Sequence, residues 1–209
     1  MSFIKFIIGM ITGLVIHLSS LQMVQAQSVE VTPFSGYSLR STFDVYGGSM
    51  RVYGGHTFGG IFTFNVTPSY GIEVMYSRQS TEADVRSIYL EERGIPAAVV
   101  YTMLGGLKQF PVSSQLIPFV GFNLGVAGLI PQTEGYEDVW RFALGVKAGT
   151  KFMLSEQIGL RLQAAMNVPV QDFGASFFVG TGGSGVNVGS YSTIFQFTFS
   201  GGLVFHLGL

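Results

Sequence analysis

Between positions 140 and 170, apolar residues alternate with small or polar residues on both sides of one short polar turn, SEQIG. The even positions of the two arms are apolar, with Thr150 as the exception, whereas the odd positions include Arg141, Lys147 and Arg161. A period of two places the two sets on opposite faces of an extended chain. The stretch therefore predicts a β-hairpin in which each strand has one apolar face and one polar, partly cationic face.

The composition indicates a protein whose surface does not mainly face water. Charged residues make up only 11% of the 209-residue chain, and the mean hydropathy is +0.43. A soluble domain carries about 25% charged residues, so much of this surface must contact something else. The net charge of −1, without a basic cluster, gives no electrostatic basis for nucleic-acid binding. The chain has no cysteine, which excludes disulfide bonds.

The N-terminal residues have the pattern of a secretory signal peptide. A lysine at position 5 precedes an apolar stretch over 6–18, and small residues lead to Ala26. We predict that cleavage removes 1–26 and leaves 27–209 as the mature domain; an uncleaved N-terminal membrane helix is the alternative. Beyond the signal, no apolar stretch reaches the roughly 18 residues of a spanning helix. A secreted chain of this kind is expected to cross a membrane as a β-barrel.

The mature chain divides into eight alternating, strand-like segments. They lie at 28–39, 50–66, 70–79, 95–108, 115–130, 140–154, 158–170 and 191–209. Three connections are short and rich in turn-forming residues, at 65–71, 109–115 and 155–159. Four are long and hold most of the acidic residues, at 40–49, 80–94, 131–139 and 171–190. Short turns at one rim and long polar loops at the other are typical of outer-membrane barrels.

Five stretches share a pattern of strand, glycine and turn: VTPFSGY (31–37), FTFNVTPSYGIEVMYSRQ (62–79), IPFVGFNLGVAG (117–128), RFALGVKAGTKFMLSEQIGLRLQA (141–164) and FQFTFSGGLVFHLGL (195–209). On these stretches the chain resembles the small outer-membrane β-barrel proteins of Gram-negative bacteria, the group with OmpA-like and OmpX-like barrels. The resemblance implies an all-β fold, an eight-stranded antiparallel up-and-down transmembrane β-barrel surrounded by outer-membrane lipid. It also implies that the barrel-insertion machinery recognises the last strand, although this strand ends in Leu209 where the family usually has an aromatic residue.

Composition also predicts which face points inward. A soluble barrel would carry charge on its outside, whereas the polar face here is rich in Gly, Ala, Ser and Asn, which suit the narrow interior of an eight-stranded barrel. The inward set then contains charged residues: Glu73, Arg51, Arg141, Lys147 and Arg161, with Glu30 and Lys151 as further candidates. Because buried charges must be paired, we hypothesise a network in the lumen in which Glu73 offsets the cations. For each residue, a position in water at a rim is the alternative.

Aromatic residues and loops supply further candidates. Aromatic residues near segment ends are candidates for the membrane interfaces, among them Tyr53, Tyr70, Tyr76, Tyr101 and Trp140; a lipid-facing position within the belt is the alternative for each. The connection 80–94 is amphipathic enough to form a short helix. The connection 171–190 combines flexible Gly and Ser with Phe173, Phe177 and Phe178, which are candidates for binding a partner at the cell surface.

The sequence contains no recognisable catalytic or metal site. His17 leaves with the signal, His56 falls in phase with the apolar face, and His206 falls in phase with the lumen, in the same segment as Ser200. A nucleophile, a base and an orienting group do not occur together, and the histidines are not spaced as metal ligands. We therefore predict no catalytic residues, no metal and no cofactor.

These observations predict a non-enzymatic integral protein of the bacterial outer membrane with a structural role or a role in surface-loop interaction. The sequence does not identify an extracellular partner. Three alternatives stay open at this point. They are a small porin or hydrophobic-solute channel, an outer-membrane lipid-modifying enzyme that depends on His206, and a soluble ligand-binding barrel.

Overall fold

The computed structural model describes residues 28–45, 48–87, 91–133, 138–170, 175–180, 183–188 and 195–207. The predicted signal peptide at 1–26 lies outside the described residues, as do Phe173 and Leu209. Within the described ranges, no helix is long and apolar enough to cross a membrane.

The described residues form twelve β-strands. They are β1 (Ser28–Ser38), β2 (Ser41–Val45), β3 (Gly48–Val52), β4 (Gly55–Thr67), β5 (Tyr70–Ser87), β6 (Glu91–Gln109), β7 (Leu116–Pro131), β8 (Val139–Met153), β9 (Ile158–Val170), β10 (Ala175–Gly180), β11 (Gly183–Val188) and β12 (Gln196–Leu207). The connections at 68–69, 110–115 and 154–157 are short and lie at one end of the molecule, here named the short-turn rim. The opposite end is named the long-loop rim.

Ten of these strands form one antiparallel sheet that closes on itself. β1 pairs with both β4 and β12, and the other pairings run from β4 through β5, β6, β7, β8 and β9 to β12. β2 follows β1 and β3 precedes β4 along the same barrel strands, so eight strands surround the axis. β10 and β11 form a separate hairpin. The predicted fold class, an eight-stranded antiparallel up-and-down barrel, is confirmed.

The strands are strongly tilted. Val29 of the first barrel strand lies opposite Phe64 of β4. Moving from each residue to its partner on the next strand, once around the barrel, returns to the first strand at Leu39. The strands are therefore staggered by ten residues around the ring. A stagger of this kind accompanies a tilt of about 35–45° in a closed barrel. With only eight strands, the interior is then wide enough to be filled by side chains and little else.

The outside of the barrel is covered by a continuous apolar belt. Its exposed residues include Phe62, Phe64, Ile72, Val74, Phe122, Leu124, Phe142, Val146, Leu160, Leu162, Phe197 and Phe199. On the hairpin β8–β9, apolar residues at even positions lie outside, whereas Lys147, Lys151 and Arg161 are buried inside, as the alternation predicts. This arrangement is the reverse of a soluble barrel and suits a surface in contact with lipid.

β6 departs from the simple rule that apolar residues face outward. Val99, Tyr101 and Met103 share one face, but this face is the interior, where they pack in the same cluster as Phe34 and Met75. The expected interfacial position of Tyr101 is therefore wrong. Its side chain is buried in the lumen because apolar residues from several strands fill the half of the barrel nearer the long-loop rim.

The predicted helix in the connection 80–94 is also wrong. β5 continues to Ser87 and β6 begins at Glu91, so most of this connection is paired strand. β3 pairs with the extended part of β5 on its other side, with Val52 opposite Ala83. Backbone hydrogen bonds to two neighbouring strands outweigh a local helical pattern, which is a weak determinant of structure.

Two adjacent glycines of β6 generate a matched test of the packing. A Cβ atom on Gly105 would lie 2.1 Å from the Phe122 carbonyl oxygen and 2.2 Å from Asn123 Oδ1, whereas a Cβ atom on Gly106 would have no atom within 4 Å. Gly105→Ala should therefore destabilise the barrel by about 1–3 kcal/mol or more, because a backbone atom must move. Urea unfolding in lipid vesicles measures this difference. Gly106→Ala serves as the control, and equal effects of the two substitutions would contradict the packing described here.

Candidate functional site: the polar lumen

Glu73 on β5 is the centre of a buried ion cluster. Arg161 Nη1 lies 2.6 Å from Glu73 Oε1, and Arg161 Nη2 donates a second hydrogen bond to Oε2 at 3.2 Å. Lys147 Nζ forms an ion pair with the same carboxylate at Oε2. Thr63 Oγ1 donates a further hydrogen bond to Oε1 at 2.8 Å. One carboxylate thus binds two cations and a hydroxyl group, with the side chains of Glu73, Lys147 and Arg161 at most 1% exposed.

The cluster extends across the full width of the lumen. β9, which carries Arg161, lies four strands from β5 in a ring of eight and is therefore diametrically opposite. The Arg161 guanidinium group also lies over the Phe119 ring at 4.3 Å, and Arg161 Nε donates to Gln163 Oε1 at 2.8 Å. The guanidinium group is thus held by a carboxylate, an amide and a ring face. Its fixed donor geometry suits a bidentate interaction with a carboxylate.

A second ion pair closes the lumen nearer the short-turn rim. Lys151 Nζ lies 2.5 Å from Glu30 Oε2 and donates to Gln109 Oε1 at 2.8 Å. Gln109 Nε2 donates to Asn65 Oδ1 at 2.8 Å, and Asn65 Nδ2 donates to Glu30 Oε1 at 2.8 Å. The four side chains form a closed ring of hydrogen bonds in which both charges are satisfied.

Neutral polar residues continue this packing toward the long-loop rim. Tyr101 donates its hydroxyl hydrogen to Gln196 Oε1 at 2.6 Å, and Gln196 Nε2 donates to Gln79 Oε1 at 2.6 Å. The Ser38 hydroxyl lies 2.7 Å from the hydroxyl groups of both Thr57 and Thr198. The sequence reasoning missed these contacts because uncharged residues gave no reason for selection. What these residues share in the sequence is their place at the alternate positions that face inward on each strand.

Little open space is left between these layers. The cavity enclosed in the lumen has a volume of about 20 Å³ and is lined by Ser38, Thr57, Tyr101 and Asn167, among others. Asn167 Oδ1 is buried without a hydrogen-bond partner. A polar cavity of this size holds about one water molecule. Buried side chains therefore occupy most of the described lumen.

The structure places the predicted charged residues in two groups. Glu73, Lys147 and Arg161 meet in the ion cluster, while Arg51 and Arg141 do not join it. Arg51 is exposed because the chain between β3 and β4 has one residue more than the facing part of β5. Val52 lies opposite Ala83 and Thr57 lies opposite Gln79, so five steps along one strand match four steps along the other. A register shift of one residue reverses the faces of a strand. The inward position of Arg51 inferred from alternation is thus wrong.

Arg51 instead lies near a polar group beyond the apolar belt. The Asp84 carboxylate there accepts hydrogen bonds from the Tyr53 hydroxyl at 2.7 Å and from the Gly94 N–H at 2.9 Å. These two hydrogen bonds lower the pKa of Asp84, and the charge of Arg51 lowers it further. Tyr53 is therefore held by Asp84 in the part of the chain beyond the belt.

Arg141 keeps the inward phase but is exposed. Its Nη1 donates to the Trp140 carbonyl oxygen at 3.0 Å, and it makes no ion pair with a described residue. Arg141 lies opposite Ala127, six residues from Lys147 along β8 toward the long-loop rim. This far from Lys147, the barrel strands no longer surround the Arg141 side chain. Arg141 therefore has the water-exposed rim position that was the alternative to a place in the lumen.

The aromatic candidates in the fourth long connection are only partly described. Phe177 and Phe178 belong to β10, where they lie opposite Val186 and Gly185 of β11. Phe173 lies outside the described residues. A surface-binding role for these three residues stays a prediction.

The histidines provide no complete catalytic set among the described residues. His206 on β12 lies opposite Glu30 of β1, six residues from Ser200 along the strand. His56, on the outside of β4, lies with its Nε2 2.9 Å from Ser35 Oγ on β1. No carboxylate or amide of the described chain is bonded to the other nitrogen of this ring. In the same ranges, no group of three His, Asp or Glu residues could hold a metal ion.

The ion cluster generates a direct stability test. Glu73→Gln leaves Lys147 and Arg161 buried without an anion, so we expect a loss of about 3–5 kcal/mol in the free energy of unfolding. Urea unfolding of the purified barrel in lipid vesicles measures this loss. Arg141→Gln removes an exposed cation from the same face and should leave the unfolding midpoint unchanged. An unchanged midpoint for Glu73→Gln would show that Glu73 does not hold the cluster together.

Comparison with known proteins places the barrel among membrane folds. No family model and no curated protein matches the chain. The solved structure of Neisserial surface protein A (NspA) matches with a TM-score of 0.58 and 13% identity, covering 85% of this chain and 96% of that chain. The outer membrane protein OprG from Pseudomonas aeruginosa matches with a TM-score of 0.59 and 12% identity, covering 88% and 97%. The chain therefore has the fold of the small outer-membrane β-barrels of Gram-negative bacteria.

Proposed function

We propose that the protein is a non-enzymatic, non-conducting barrel of the bacterial outer membrane that anchors a rigid extracellular β-structure for contact with a surface partner. The observation that carries this proposal is the filled lumen. Glu73, Lys147 and Arg161 pair across the centre of the barrel, and Glu30 and Lys151 pair nearer the short-turn rim. The barrel strands anchor the protein in the membrane, and the segments beyond the apolar belt form the surface that would contact a partner.

The buried charges oppose ion passage. An ion crossing the barrel would have to separate Glu73 from Arg161, and then Glu30 from Lys151, inside a narrow interior. Separating a buried ion pair leaves charges without compensation and costs several kcal/mol for each ion. The small cavity lined by Ser38, Thr57 and Tyr101, about 20 Å³ in volume, is too small to carry a hydrated ion past these pairs. Passive solute transport is therefore less well supported than an anchoring role.

The strands that extend beyond the belt support a role at the cell surface. β2, β3 and the ends of β5 and β6 pair in sequence and form an antiparallel sheet on the long-loop side. A paired sheet gives its backbone a defined course, and binding residues concentrate on connections held by a rigid scaffold. The similar structure NspA is named a surface protein. We call the part of β5 over 83–87 and the part of β6 over 91–95 the surface ribbon.

Conductance separates the closed barrel from a porin. The purified full-length protein should give no steady single-channel current in planar bilayers, and proteoliposomes that contain it should not admit small sugars or apolar solutes faster than empty liposomes. A triple alanine variant at Glu73, Lys147 and Arg161 removes the central cluster and serves as the opened comparison. Steady currents or solute entry with the unaltered protein would contradict the proposal.

A variant with a shortened surface ribbon tests whether the barrel folds and inserts independently of the surface ribbon. Replacing 84–94 by a two-residue turn leaves the ion cluster and the Glu30–Lys151 pair intact, so the barrel should still fold and insert. The measurement is the heat-dependent mobility shift on gels together with the urea midpoint, each compared with the full-length chain. A variant that no longer inserts would show that the ribbon is part of the barrel's own stability, which contradicts a separable surface role.

A further inference from the structure

Arg78 is a cation on the lipid-facing side of the barrel. On β5, Met75, Ser77 and Gln79 are buried in the lumen and Tyr76 is exposed outside, so Arg78 belongs to the outward set. The side chain is half-buried, and within the described part of the chain it makes no hydrogen bond and no ion pair. A charge at the surface of a membrane protein requires an anion or water as a partner.

The position of Arg78 corresponds to the headgroup level at the long-loop side. Toward the centre of the belt, the next outward residue of β5 is Tyr76, which is exposed and aromatic. Toward the long-loop rim, the next outward residues are Ser80 and Glu82, both exposed and polar. Arg78 thus lies where the apolar surface ends. Glu82, the closest carboxylate along this face, is four residues further along the strand.

Two further polar groups lie near Arg78: His56 is on the adjacent strand β4, and Ser35 is one strand further, on β1. Phe58 of β4 lies directly opposite Arg78 on one side and Ser35 on the other. His56 lies two residues from Phe58 on the same outward face, and its Nε2 is 2.9 Å from Ser35 Oγ. Diagonal neighbours on a sheet are within reach of long side chains. His56 is the diagonal neighbour of both Arg78 and Ser35, so it links the three residues into one polar patch on an otherwise aromatic surface.

Below this patch the surface has an open slot. A Cβ atom on Gly60 would have no atom within 4 Å, and Gly60 lies opposite Pro33 on one side and Tyr76 on the other. Phe58 and Phe62 are exposed immediately before and after it on the same face. The missing side chain leaves a gap on the outward face between these two aromatic side chains.

We propose that Arg78, His56 and Ser35 bind the phosphate group of an anionic lipid in the outer leaflet, with one acyl chain of that lipid over Gly60. A guanidinium group donates two parallel hydrogen bonds to phosphate oxygens, and a serine–histidine pair supplies further donors beside it. The apolar surroundings select a lipid over free phosphate, because the acyl chain covers surface that would otherwise contact bulk membrane. This inference does not depend on whether the lumen conducts.

Native mass spectrometry of the full-length protein in detergent tests the site with diphosphorylated lipid A as the probe. Arg78→Gln should weaken binding by at least about tenfold, the ratio expected for loss of one charge-assisted hydrogen bond. The matched control is Lys108→Gln, which removes another outward cation, one that lies 3.8 Å over the Tyr70 ring near the short-turn rim. Lys108→Gln should leave lipid A binding unchanged.

A second pair of variants tests the acyl-chain slot. Gly60→Leu should fill the gap between Phe58 and Phe62 and weaken lipid A binding. Gly106→Leu adds the same side chain at another open outward position and should leave lipid A binding unchanged. Inorganic phosphate should fail to displace the lipid at equal concentration. The proposal is overturned if Arg78→Gln binds lipid A as tightly as the unaltered protein, if the Lys108 variant loses as much affinity, or if inorganic phosphate competes equally. If Arg78→Gln does not fold, equal binding by the two leucine variants overturns it.

Discussion

The ion cluster of Glu73 with Arg161 and Lys147 is the interaction on which the closed interior depends. A ring of eight tilted strands leaves a narrow core, and the lipid outside offers no partner for a charge. Every charged group that is buried in the lumen must therefore find its partner there. Glu73 satisfies two cations from the opposite wall, and this connection joins sides of the barrel that the backbone hydrogen bonds link only through intervening strands.

The same constraint explains how the rest of the interior is organised. Near the short-turn rim, Glu30 and Lys151 form a ring with two amide side chains, so the second pair of charges is also compensated. Toward the long-loop rim, neutral groups such as Tyr101 and Gln196 replace charges, and apolar side chains fill the remaining volume. Where the wall ends, Arg141 is exposed and needs no buried anion. Arg78 poses the same problem on the outside, where only lipid or water can supply the partner.

The alternation of the sequence was sufficient to predict the barrel, its eight strands and the outward face of most of them. It also selected Glu73, Lys147 and Arg161 as inward residues, because a strict period of two carries that information wherever the register is unbroken. The same reasoning failed at Arg51, since one extra residue between β3 and β4 reverses the faces and leaves no mark in composition. It failed at Tyr101 because an apolar residue suits both lipid and a packed lumen. The connection 80–94 was misread because strand pairing with distant residues outweighed a local helical pattern.

By itself the sequence determined the class of the fold, for a physical reason: low charge, a period of two and short turns alternating with long loops are compatible with few structures other than a membrane barrel. The tertiary structure decided which charges meet. Glu73 is 88 residues from Arg161 in the chain, and their contact depends on the stagger with which the ring closes. That stagger is set by the summed register of all the strand pairs, which no single segment of the sequence encodes.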